Sequence, residues 1–459
     1  MPRPRTTPVQ NAALASLIDQ TGHTYNAIAA TINRVSRENG SQTQCSAASL
    51  ARWLNGSTPL PGIIPAVTEA FARLLDKPSI TPADLGWPPG HTARGTRPDD
   101  PWGGDPVAWV TRLGRTDMLD RRTTITAGLY SLAAATLPST TTTRLAHQTQ
   151  SSVRVGPADV ARIRAMAQVF GDVDDLYGGG HARSAVAAYL VHDVAPLLHV
   201  ASGQIRPDLF AAAAEVTYLA GWMAADDLQP GLAQRYYIQA VRLATEADAP
   251  LMRATALRSL ASQAVELGHP SRGLALADAS ADALRGGAPT RTRAWVTGMR
   301  AEALAATGHD PRRAIRLLTS TETDLEHADS PPAIEWTGNY RREGYEHQAG
   351  LTLLNLGDLP GAETHLAASV ATRKPTERRT RALVGTRLAT VQLQRHRPDA
   401  AAATLLGLAE DLAAVKSERL RRTLGQIRNR WQTARTDPTV ARADRLLSSV
   451  HAGTADVHV

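Results

Sequence analysis

A chain of 459 residues, 43% of them hydrophobic, can bury two or three domain cores. Its one cysteine, Cys45, excludes an intramolecular disulfide and a cysteine-based zinc site. The net charge of +7 is unevenly placed: residues 1–90 and 91–150 carry +2 each, residues 151–370 carry −6, and residues 371–459 carry +9. Of the 50 basic residues 47 are arginine, a bias that goes with a surplus of alanine and points to a GC-rich coding sequence. Alanine-rich, valine-poor segments without two-residue alternation predict an all-α fold. No apolar run reaches the roughly 18 residues of a membrane span, and no Lys/Arg-then-apolar leader opens the chain. A cytoplasmic protein without membrane contact is expected.

Residues 1–8 read as a disordered arm. Asn11 to Gln20 predicts a first helix with Leu14, Leu17 and Ile18 on one face and Gly22 as its stop. Thr24 caps a second helix that buries Ile28, Ala29, Ile32 and Val35. A polar stretch over residues 36–44 follows. Ser46 then caps a third helix with Leu50, Trp53 and Leu54 inward and Gly56 beyond its end. A fourth helix is predicted over 63–75 and a short fifth over 81–87, where Thr81 and Pro82 give a cap and a first-turn proline.

Five short helices ending in Leu54-Asn55-Gly56 after the third resemble the phage-repressor-like (XRE-type) helix-turn-helix domain over residues 9–87. The resemblance implies base contacts from Ala47, Ala48 and Arg52, and phosphate contacts from Tyr25, Asn55 and the loop at Ser57 and Thr58. Gln44, Ser46 and Ser49 lie at the same helix start and join the candidate DNA-binding set. Two features depart from the family pattern. The connection before the third helix is several residues longer, which makes Arg34, Arg37, Gln42 and Gln44 additional candidates for phosphate. Alanine at two reading positions leaves hydrogen-bonded base discrimination mainly to Arg52, against guanine O6 and N7.

Residues 88–152 read as linker, with a docking helix near 117–137. From 153 to 450 the pattern is one of helical hairpins, followed by a tail over 451–459. A small residue, another twelve or thirteen later, and positions four and seven beyond it recur. The sets are Ala220/Ala233/Tyr237/Ala240, Ala261/Gly273/Ala277/Ser280, Ala301/Ala314/Leu318/Thr321, Gly350/Ala362/Leu366/Ser369 and Ala389/Ala401/Leu405/Leu408. This resembles the tetratricopeptide repeat (TPR), with longer spacing, and implies an α-solenoid. Residues 158–200 are expected to supply a preceding hairpin and 410–450 a closing cap. Such solenoids present a groove to a peptide, small molecule or protein, and Tyr218, Trp222, Trp295, Trp336, Asn339 and Tyr340 are its candidate lining.

No phosphate-loop, nucleophile-elbow or calcium-loop pattern occurs, so the chain is read as no enzyme, with no cofactor and no metal site. A phage-repressor-like domain joined to a TPR array resembles actinobacterial regulators of differentiation and antibiotic production, an arrangement shared with the peptide-responsive (RRNPP-type) regulators. It implies a transcriptional regulator, read as a repressor, that binds a palindromic duplex operator as a homodimer formed through the TPR region. The competing expectation is a TPR interaction protein without specific DNA recognition.

Overall fold

The computed structural model describes residues 10–38, 44–87, 100–119, 130–132, 134–137, 155–328 and 340–452. The expected arm over 1–8, Gln42, Trp336, Asn339 and most of the tail lie outside the described residues. So do residues 120–129 and 133 of the expected docking helix. All regular structure among the described residues is helical, as the composition predicts.

Four helices open the chain: α1 (Ala12–Thr21), α2 (Tyr25–Glu38), α3 (Ala47–Leu54) and α4 (Ile64–Leu75). Their starts and stops follow side-chain chemistry. The Asn11 side chain accepts from the Leu14 amide, and Gly22 ends α1 in the left-handed region, φ 64°. Leu14, Ile28, Ile32, Leu50, Val67 and Phe71 close one core. The expected fifth helix does not form. Residues 82–86 are turns, because Gly86 takes φ 76° and leaves too few residues for repeated i→i+4 bonds. Leu85 and Trp87 from those turns still enter the core.

The stretch expected as linker contains a helix, α5 (Pro106–Leu119). Val107, Trp109, Val110 and Leu113 bury one face of it in the large central core. Residues 130–132 and 134–137, where the docking helix is expected to end, contact both the N-terminal unit and α10 and are turn rather than helix.

Next come α6 (Pro157–Tyr177), α7 (Gly179–Tyr189) and α8 (Ala195–Val200), the last two joined by a π turn over Leu190–Val194. Five antiparallel hairpins then follow: α9 (Ile205–Asp226) with α10 (Pro230–Glu246), α11 (Pro250–Glu266) with α12 (Pro270–Asp282), α13 (Thr290–Thr307) with α14 (Pro311–Glu326), α15 (Arg342–Asn355) with α16 (Leu359–Thr372), and α17 (Arg378–Gln394) with α18 (Pro398–Leu406). Each reverses through one left-handed residue, namely Leu228, Gly268, Gly308, Gly357 or His396, and each second helix has proline in its first turn. The small residues of the repeat template are where paired helices cross. A methyl on Gly350 would sit 2.7 Å from Leu366 Cγ, and Ala220, Ala233, Ala261, Ala301, Ala314, Ala389 and Ala401 are buried.

The chain ends with α19 (Ala409–Ala414), α20 (Glu418–Arg430) and α21 (Pro438–Ala452). The start of α20 reaches back to the ends of α6 and α9. The Lys416 amide donates to the Tyr177 carbonyl at 2.7 Å, and Ser417 Oγ to Asp226 Oδ1 at 2.9 Å. Between these ends lies Arg379 of α17, 3% exposed. Its guanidinium is 3.0 Å from Asp174, 3.5 Å from Asp175 and 4.0 Å from Asp226, and lies over the Trp222 ring at 4.9 Å. Burial opposes its charge, yet these carboxylates hold it above the ordinary arginine range. The array is therefore closed by ion pairs across its inner side.

Candidate nucleic-acid interface

The sequence at α3 makes a short, rigid helix with one outward stripe. Ser46 accepts from the Ser49 amide at 3.3 Å, and Ser49 Oγ accepts from the Ser46 amide at 3.3 Å, a reciprocal cap. Leu50, Trp53 and Leu54 turn inward, and Trp53 meets Trp87 edge-on at 5.8 Å. Beyond the helix Gly56 takes φ 90°, and its amide donates to the Trp53 carbonyl while the Ser57 amide donates to that of Arg52. The Gln10 and Asn11 amides donate to the Leu54 carbonyl, each at 3.0 Å, which stitches the start of α1 to the end of α3. A side chain at Gly56 would displace that of Gln10 and strain the backbone at this positive φ. Ala48, Arg52 and Asn55, four and three residues apart, remain exposed on one face, flanked by exposed Gln44, Ser46, Ser57 and Thr58.

The longer connection before α3 is pinned by Asn33, which motif reading passed over. Its Nδ2 donates to the Cys45 carbonyl at 2.8 Å, and its Oδ1 accepts from the Cys45 amide at 2.6 Å. A side-chain amide imitates a backbone pair and fixes where α3 begins. Cys45 itself is buried, and burial pushes its thiol up to about 11 against the opposing effects of the Ser49 hydroxyl and Arg52. Asn33→Ala strands both Cys45 backbone groups and should cost about 1–3 kcal/mol. Chemical unfolding of the variant checks this, and an unchanged midpoint would contradict the pinning role.

Several candidates change meaning. Ser49 is buried and its hydroxyl is held by the cap, so it shapes α3 rather than presenting a donor. The Ser57 amide is engaged with Arg52, which leaves its side chain and that of Thr58 as the outward groups. Ala47 is half-buried, and Tyr25 packs against the core with part of its ring outside. Arg52 makes one long contact, 3.5 Å to Ser49 Oγ, and its side chain is otherwise outward.

The proposed groove lining is corrected more strongly. Tyr218 is buried, with its hydroxyl accepting from Ser259 and its ring against Tyr237. Tyr340 is buried in the core around α13 and α15. Trp222 lies beneath Arg379, and Arg258 covers Trp295 at 4.2 Å. Arg258 also donates to Gln348, which in turn contacts Glu302. The first helices of the hairpins thus turn these aromatics into a packed, ion-paired interior, because arginines distant in sequence fill the space that an isolated groove would leave open.

The orientation of α3 relative to the array is set through Tyr130–Leu132. Glu69 of α4 accepts from the Leu132 amide at 3.1 Å and from Arg73 at 2.8 Å. Arg73 also pairs with Glu38 of α2 and donates to the Tyr130 carbonyl at 3.3 Å. Burial pushes Glu69 up to about 7 against the pull of Arg73. On the opposite side, Gln234 of α10 exchanges two hydrogen bonds with the Ser131 backbone, at 2.8 and 2.9 Å. His269 at the start of α12 stacks on Tyr130 at 5.5 Å, and burial lowers its imidazole to about 4. One three-residue strap therefore touches both units.

Among the described residues no cluster of His, Cys, Asp and Glu could hold a metal ion, and no helix is long and apolar enough to cross a membrane. A family model described as SP15 N-terminal domain matches residues 14–88, a span that takes in most of α1, all of α2 to α4 and the turns through Trp87. No curated protein and no solved structure matches the chain.

Proposed function

We propose that the chain is a sequence-specific DNA-binding transcriptional regulator whose N-terminal unit is a phage-repressor-like helix-turn-helix domain and whose hairpin array is TPR-like. The observation that carries this reading is the Ala48, Arg52 and Asn55 stripe on a capped helix fixed at both ends. Small side chains let the helix backbone approach a major groove, and one arginine reaches guanine O6 and N7. Tyr25, Gln44, Ser46, Ser57 and Thr58, with Asn55 at the end of the stripe, take the flanking phosphates and sugars. The array acts as the dimerising and controlling part, in a cytoplasmic repressor of the actinobacterial differentiation type, with no chemistry of its own. A homodimer would place two α3 helices about 34 Å apart on one face of a palindromic operator.

The test is equilibrium binding to the protein's own promoter region, wild type beside Arg52→Ala. Loss of about 1–3 kcal/mol of discrimination against a changed guanine is expected for the variant. Unchanged sequence preference would sink the assignment of α3 as the reading helix. Wild-type protein with no salt-sensitive preference over random duplex would sink the DNA reading itself. A closed, ion-paired interior gives no support to a peptide lying in the array as it stands. Control by a ligand therefore requires the Arg379 closure to open.

A further inference from the structure

We propose that α20 and α21 form a second phosphate-binding surface, which holds the backbone of duplex DNA beside the stretch read by α3; this rests on the DNA-binding reading above. The pair of helices divides sharply by face. Leu420, Leu424 and Ile427 of the first, Trp431 just beyond it, and Val440, Ala443 and Leu447 of the second are buried. Arg422 and Arg430 of α20 and Arg442 and Arg445 of α21 are exposed.

Two acids of these helices are already engaged. Asp444 binds Arg428 at 2.9 Å, Arg435 at 3.2 Å and Trp431 Nε1 at 3.2 Å. Glu418 pairs with Arg421. Among the described residues Arg422, Arg430, Arg442 and Arg445 have no acidic partner, so the local charge excess faces outward uncompensated. A polyanion with regularly spaced phosphates is the chemistry that such a face complements.

The position of the surface makes duplex DNA the occupant. The start of α20 sits where α9 and α11 end, through Ser417 on Asp226 and Arg419 on Glu266. The turn that follows Glu266 carries His269, which stacks on Tyr130, and Arg272 of α12 reaches Asp76 of the N-terminal unit at 3.3 Å. The start of α20 and the N-terminal unit therefore both meet the array around the turn between α11 and α12. On this proposal a duplex read by α3 extends past the turn between α11 and α12 to the arginines of α20 and α21. The surface reads no bases. It supplies affinity to a helix that has one discriminating arginine.

The experiment is fluorescence anisotropy of the full chain on a random-sequence duplex and on its own promoter fragment, across a salt series. It compares wild type with the fourfold variants R422Q/R430Q/R442Q/R445Q and R422K/R430K/R442K/R445K. The glutamine variant should lose about 3 to 4 from the magnitude of the log K against log salt slope on both duplexes while keeping the preference between them. The lysine variant should restore the slope, since phosphate contact needs the charge alone. Promoter preference with an unchanged slope in the glutamine variant overturns the second surface and leaves α3 as the reader. No salt-dependent binding of wild type to either duplex overturns both. A loss seen only on anionic phospholipid vesicles overturns the DNA assignment of this face in favour of a membrane.

Discussion

Arg379→Ala should destabilise the hairpin array by about 3–5 kcal/mol, because it leaves buried carboxylates without their counter-charge. Asp174 is 2% exposed and burial already pushes its carboxyl up to about 7 against the pull of Arg379, and Asp226 is 1% exposed. Removing the guanidinium also uncovers Trp222 and unties α17 from α6 and α9. Urea unfolding followed by circular dichroism reads the loss, and a change below about 1 kcal/mol would show that the closure is incidental. Adding Asp174→Asn to the variant should return part of the stability, since the neutral amide no longer carries a stranded charge. Hydrogen exchange in α17 should also accelerate in the alanine variant well before global unfolding.

Arg73→Ala should cost a comparable 3–5 kcal/mol, but locally. Arg73 is the bridge between Glu38 of α2, Glu69 of α4 and the Tyr130 carbonyl, with both its side chain and that of Glu69 at 7% exposure. Burial opposes its charge, while Glu69 and Glu38 hold it above the ordinary arginine range. Without it Glu69 keeps the Leu132 amide but loses its cation, and the strap loosens from the N-terminal unit. The expected signature is a separate, earlier unfolding step confined to residues 10–87 and new protease sensitivity around Tyr130. A single cooperative transition at the wild-type midpoint would contradict the strap as the link between the units.

The parts of this architecture legible in the sequence are those set by local chemistry. Asn11, Gly22, Ser46 and Gly56 mark the ends of α1 and α3 because caps and left-handed turns need those side chains. The hairpins were legible because helices that cross closely need Gly or Ala at the crossing, as at Gly273 and Gly350. Residues 81–87 misled for the converse reason. Thr81 and Pro82 start a helix, but Gly86 stops it before a second turn. The helix α5 was hidden by the Pro/Gly/Asp punctuation before it, although Val107, Val110 and Leu113 carry a helical period.

The contacts that fix the candidate site were not legible, since they join residues far apart. Asn33 binds Cys45 across the long connection, Glu69 binds Leu132, and Arg379 enters a pocket built by residues some two hundred positions earlier. Tyr218 and Trp222 read as groove lining because they fall on first helices of hairpins. That placement could not show that arginines would occupy the space in front of them. The outward face of α3 was legible for Ala48, Arg52 and Asn55, which need only a helix and its phase. It was misjudged at Ser49, whose hydroxyl turns back to cap the helix.

The central claim is that α3 reads DNA sequence, and sequencing the genomic fragments retained by the full chain tests it most directly. The account predicts one enriched motif made of two inverted half-sites about one helical turn apart, each containing a guanine whose enrichment disappears with Arg52→Ala. Retained fragments with no common motif, or an identical motif recovered by the Arg52→Ala protein, would contradict it.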